Sequence, residues 1–146
     1  MRTLLPIWAA AAALPAIALA DVTVRVLPPS PPKGFDTQHV SKAALAGHEI
    51  RLWAAQSLDP DCSVHAEMQT DILQAPQHGN ARISNDGFFG NFPPGNVRYH
   101  CNTVKAPGRQ VFYASAADFH GHDKVVFQNS TVDGRIRKWV VDIDVK

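Results

Sequence analysis

The sequence predicts an all-β fold, an antiparallel sandwich of short strands. Three observations lead there: short runs in which apolar and polar residues alternate, turn residues recurring between those runs, and almost no helical periodicity. Successive side chains of a strand point to opposite faces, so period-two alternation marks a strand with one face buried. Many short strands separated by Gly, Pro, Asn and Asp turns favour two stacked sheets over helical or α/β designs.

Residues 1–20 stand apart from that pattern. Arg2 precedes an uncharged apolar run from Leu4 to Ala20, which ends Ala18-Leu19-Ala20 before Asp21. A basic start, an apolar middle and a small-x-small ending describe a cleavable secretory signal peptide. A membrane anchor is the alternative for a run of this length; the mildly apolar, Ala-rich composition and the well-placed Ala-x-Ala weigh against it. Residues 21–146 are then one domain, large enough to bury a core. The chain carries 14 Lys and Arg against 13 Asp and Glu, and loss of Arg2 with the leader would leave a neutral balance. Such a domain has no electrostatic footprint for nucleic acid or an anionic membrane surface. No later apolar stretch approaches spanning length.

Along the domain, Val22, Val24 and Val26 alternate with Thr23 and Arg25 as a first strand. Four prolines between Leu27 and Gly34 then predict an extended polyproline arm or edge crossing. The Ala- and Leu-containing stretch Val40–Ala46 reads as a helical turn ended by Gly47. His48–Ala54 places Ile50, Leu52 and Ala54 on one strand face, and Asp59-Pro60-Asp61 is a turn. Cys62–Met68 alternates as a further strand. Asp71–Gln74 continues extended, Pro76-Gln77-His78-Gly79 turns, and Ala81 and Ile83 mark a short strand. Ser84–Pro94 is a loop with three aromatics, Phe88, Phe89 and Phe92, expected to tuck over an open end of the sandwich. Val97, Tyr99 and Cys101 alternate as another strand, followed by Gln110–Ala114. Lys124–Gln128 pairs with Arg135–Val145 across Thr131-Val132-Asp133-Gly134, where Asp-Gly is a strong hairpin signal. In the last strand Trp139, Val141, Ile143 and Val145 point one way, Lys138, Asp142 and Asp144 the other.

Cys62 and Cys101 are the only cysteines. In an oxidising compartment they most simply form one disulfide, joining two strands or a strand to the long loop. A metal pair or a redox-active thiol fits less well, because the two are far apart and no Cys-x-x-Cys motif exists.

One segment is more specific than periodicity. Tyr113, Phe119, Gly121, Asp123 and Phe127 stand at the spacing Tyr-x-Pro-x-x-x-Phe-x-Gly-x-Asp-x-Phe-x-Tyr, and Pro76-Gln77-His78-Gly79 precedes them as Pro-x-His-Gly. This combination resembles bacterial Ig-like and cadherin-like domains, and the layout resembles a group of small exported bacterial proteins. The resemblance covers residues 72–145 and implies an Ig-like antiparallel β-sandwich; it implies no particular activity. Ser115 stands where proline is usual, and Ser84–Gly108 is longer than the simple repeat. Within such a corner Phe119 would plug the sandwich end. Gly121 would permit a turn that a Cβ obstructs. Asp123 would cap backbone donors, and Tyr113 would bond backbone.

Seven histidines raise a metal question. His120 and His122 flank Gly121 beside Asp118 and Asp123, and His-x-His on a strand places both imidazoles on one face; His78 or His100 would be the third ligand. Asp59, Asp61 and Asp118 lack calcium-loop spacing. No nucleophile elbow, His-Glu-x-x-His or phosphate-binding loop is present, and neither Glu49 nor Glu67 sits in an acid/base pair. The sequence therefore points to a non-enzymatic, cofactor-free module, periplasmic or secreted, binding a protein or cell-envelope component through loops or a sheet edge. A periplasmic metal-binding protein using His120 and His122 is the alternative.

Overall fold

In the computed structural model, residues 34–146 are described. They form nine strands: β1 Phe35–Ala44, β2 Glu49–Ala55, β3 Gln69–Gln74, β4 Gly79–Ser84, β5 Phe88–Phe89, β6 Lys105–Ala106, β7 Arg109–Ser115, β8 Gly121–Ser130 and β9 Ile136–Val145. A single 3-10 turn, Tyr99–Thr103, interrupts the described strands. The expected leader, the Val22–Val26 strand and residues 27–33 of the proline arm lie outside the described residues.

The strands form a four-stranded sheet ordered β1-β9-β8-β3, a three-stranded sheet ordered β2-β7-β4, and a β5-β6 ribbon. The two larger sheets share one core. Ala44, Val125, Phe127, Val141, Ile143 and Val145 meet Leu52, Val111 and Tyr113 from the other sheet in one buried cluster. Alternation produces this: along β9, Val141, Ile143 and Val145 are buried while Asp142 between them is exposed. Each such side chain contributes about 1.5–3 kcal/mol on burial. At one end of the core the rings of Trp53, Phe127 and Trp139 pack with centroids 5.8 to 6.2 Å apart.

Five expectations are corrected. Val40–Ala46 is no helical turn: residues through Ala44 belong to β1, which runs parallel to β9 from Phe35 beside Ile136 to Ala44 beside Val145. The strand pairing is therefore not wholly antiparallel, as the expected sandwich would be. Cys62–Met68 alternates but forms no strand; its one ladder contact is a bridge from Val64 to Leu58. Val97–Cys101 curls instead into the 3-10 turn. The aromatic loop covers the fold only in part, because Phe89 is 55% exposed while Phe92 packs against Leu58, Cys101 and Ala106.

Two irregularities bear on the site. A bulge between Arg51 and Trp53 shifts the β2–β7 register, so both Leu52 and Trp53 reach the core. Gln56 Nε2 donates to the carbonyls of Phe88 and Ala106, both at 2.7 Å, and so ties the β5-β6 ribbon to the end of β2.

Candidate functional site

Three places concentrate chemistry-bearing side chains. The first is the corner between β7 and β8. Asp123, 6% exposed, accepts hydrogen bonds from the backbone N–H groups of Gln77, His78 and Lys124 at 2.9, 3.0 and 2.8 Å. The Tyr113 hydroxyl donates to Asp123 Oδ2 at 3.1 Å, rather than to backbone. Burial pushes the Asp123 carboxyl up, but these four donors outweigh it and hold it below the usual carboxylate range. Burial, then the hydrogen bond to Asp123, pushes Tyr113 up to about 12. A carboxylate offers about four acceptor sites, so Asp123 has none left for a substrate or metal. Phe119 packs against the core and stacks on His78, ring centroids 4.1 Å apart. Gly121 has φ +136, a backbone conformation that side chains disfavour. Ser115, standing where the resembled pattern has proline, accepts from the Gly47 N–H at 3.0 Å.

The second place is the disulfide. Cys62 and Cys101 are bonded, joining the turn after Leu58 to the 3-10 turn. Both halves lie in loops, so the bond links no strand. With His100 they are the one group of three metal-ligating residues whose ligand atoms converge among the described residues. As a disulfide the sulfurs offer no thiolate to a metal. His120, His122 and Asp118 are exposed and form no such group. His122 faces Asp144 across the β8-β9 ladder, its Nδ1 3.8 Å from the carboxylate.

The third place is a groove of about 490 Å³ beside β2. Its apolar lining combines the aromatics Trp53, Phe88, Phe89 and Phe92 with Leu52, Ala54 and Ala55. Lys42 and Arg51 supply its charge, Gln56 and Asn91 its amides, and no carboxylate lines it. The Arg51 guanidinium lies 5.6 Å from the Phe88 ring centroid and donates to Gln110 Oε1 at 3.1 Å. Neither Lys42 nor Arg51 pairs with a carboxylate among the described residues. The far end of the same cross-strand row, in which Arg51 and Arg82 flank Phe112 from β2 and β4, is self-satisfied by contrast. Arg82 stacks over Phe112 at 4.3 Å and binds Glu49 through two bonds of 2.8 and 2.7 Å.

The sequence singles out the Phe88–Phe92 loop but not Lys42, Arg51 or Gln56. The available signal was Arg51 alone, a cation within the otherwise apolar run Ile50–Ala55.

No family model and no curated protein matches this chain. Among solved structures it is similar to an endo-fucoidan hydrolase of glycoside hydrolase family 107, at 10% identity over 75% of this chain and 12% of that one, TM-score 0.38. It is also similar to amebosin, at 11% identity, 75% and 96% coverage, TM-score 0.37. A 2,6-sialyltransferase of Vibrionaceae Photobacterium sp. JT-ISH-224 matches at 8% identity, 77% and 18% coverage, TM-score 0.38. The chain spans a small fraction of the two enzymes, and none of these likenesses assigns it an activity.

Proposed function

We propose that the protein is an exported Ig-like binding module, non-enzymatic, that engages a partner through the groove beside β2. The observation that carries this reading is the groove itself: four aromatic side chains converge there with two cations that have no carboxylate partner among the described residues, and Phe89 is left exposed. Exposed apolar clusters rimmed by polar groups mark interaction surfaces, and aromatic and Arg side chains dominate binding energy where they are buried by a partner. Export is supported by the Cys62–Cys101 disulfide, which persists in oxidising compartments. The Ig-like assignment is supported by the strand order, seven strands split between β1-β9-β8-β3 and β2-β7-β4 around a shared core. The four hydrogen bonds that Asp123 accepts leave that carboxylate no free acceptor for acid–base work at the corner.

A photocrosslinking residue placed at position 89, in the protein produced by its native host, tests the groove. A discrete adduct is expected there and not from the same residue at Val132, an exposed apolar position on the β8-β9 turn. Identical adduct patterns at both positions would remove the reading.

A further inference from the structure

The inference rests on reading the β2 groove as a binding site, and it concerns what the groove takes. Residues Arg51 through Gln56 all line it, one after another. Successive side chains of a strand face opposite ways, so a wall touched by every residue in turn is the strand's own backbone seen edge-on. Among the described residues β2 is an outer strand: one side is hydrogen-bonded to β7, and no described strand pairs with the other. Such an edge presents a row of amide donors and carbonyl acceptors, and the natural complement is another extended backbone.

We propose that the groove binds an extended, carboxylate-bearing peptide segment of another protein, added beside β2 as a further strand. Backbone pairing supplies attachment without choosing a sequence; the side chains around the edge supply the choice. Lys42 and Arg51 stand in the groove without carboxylate partners among the described residues, and no acidic residue lines it. A third cation, Lys105, lies 5.5 Å from the Phe89 ring centroid. The groove thus selects negative charge. Small side chains at Ala54 and Ala55, flanked by Phe88 and Phe92, leave room for alternate apolar side chains of the incoming strand. A second copy of this chain is disfavoured as occupant, because its β2 edge would bring the same cations into the same groove.

The experiment is a fluorescence-anisotropy titration of the full chain into a dye-labelled octapeptide alternating Val and Glu. Its comparators are the Val-Lys counterpart and a Val-Glu copy N-methylated at alternate backbone nitrogens. Saturable binding of the Val-Glu peptide is expected, at least tenfold weaker for either comparator. The double variant Lys42→Glu with Arg51→Glu should reverse the preference between Val-Glu and Val-Lys. Both side chains are exposed, and an unchanged melting temperature would show that the variant folds. Amide exchange should slow when the Val-Glu peptide is added, at those of residues 51–55 whose N–H groups face away from β7. Equal binding of the N-methylated copy would overturn strand addition, leaving charge alone. Slow exchange of the same amides before any peptide is added would also overturn it, since a part of this chain would already occupy the edge. Absence of peptide binding together with a retained adduct at position 89 rejects the peptide as occupant and keeps the groove. Loss of both rejects the groove as well.

Discussion

At the scale of single residues the corner aspartate carries the clearest consequences. Asp123→Asn keeps the size but replaces one acceptor oxygen by a donor facing backbone N–H groups. It should cost about 2–4 kcal/mol in urea unfolding, because buried donors lose a charged partner. Tyr113→Phe removes one hydrogen bond and should cost about 1 kcal/mol. The two have opposite pH signatures. The Asp123 carboxyl sits below its ordinary value of about 4, so its stabilisation is complete above that pH and is lost as pH falls through the folded-state value. Acid titration of stability should show that limb in the native protein and a shallower one in the asparagine variant. Tyr113 is raised, so its stabilisation is complete below about pH 10, its ordinary value, and is lost as pH climbs towards about 12. Gly79 is a third sensitive residue, because a Cβ there would collide with the Ala114 carbonyl and press on the Tyr113 ring. Gly79→Ala should cost about 1–3 kcal/mol as the neighbours shift to admit it, read as a lowered thermal midpoint.

At the scale of elements, local chemistry made some strands legible and left others silent. The β8-β9 hairpin was readable because alternation and Asp133-Gly134 agree, and the two strands pair from Gly121 beside Val145 to Ser130 beside Ile136. β1 was misread because Ser41-Lys42-Ala43-Ala44 has helical propensity; its strand state comes from β9, and the ion pair of Asp36 with Arg137 spans 101 positions of sequence. Cys62–Met68 shows the reverse failure: alternation without a partner strand yields no strand. The Cys62–Cys101 disulfide followed from cysteine count alone, yet its seat between two loops did not. The groove was mostly hidden because one wall is backbone, which a residue pattern cannot display, and the rest comes from β1 and the β5 region. Replacing both cysteines by alanine should cost about 4 kcal/mol on the chain-entropy model for a separation of 39 residues. Its checkable signature is a lower urea midpoint than that of the oxidised protein.

At the scale of the whole molecule, two sheets stand on one cluster, so damage to its centre should be felt everywhere at once. Phe127 is fully buried between them, and Phe127→Ala should cost about 3–5 kcal/mol with a single cooperative transition retained. Circular dichroism and tryptophan fluorescence should then give coincident melts, since Trp53 and Trp139 border the cavity. Among the described residues no helix is long and apolar enough to cross a membrane. Intact mass of protein recovered from its native host should correspond to residues 21–146 less two hydrogens; a mass retaining residues 1–20 would remove the signal-peptide reading. The parallel β1–β9 ladder also has a meaning in time. The first described strand is held along its length by the last, so among the described strands β1 has no ladder partner until residues 136–145 have been made. Contacts this distant close a loop of almost the entire domain before they are repaid, which places folding in the slow, millisecond-to-second range of all-β topologies. A ribosome-tethered chain ending before Ile136 should remain protease-sensitive, and protection should arrive in one step once residues 136–145 are free.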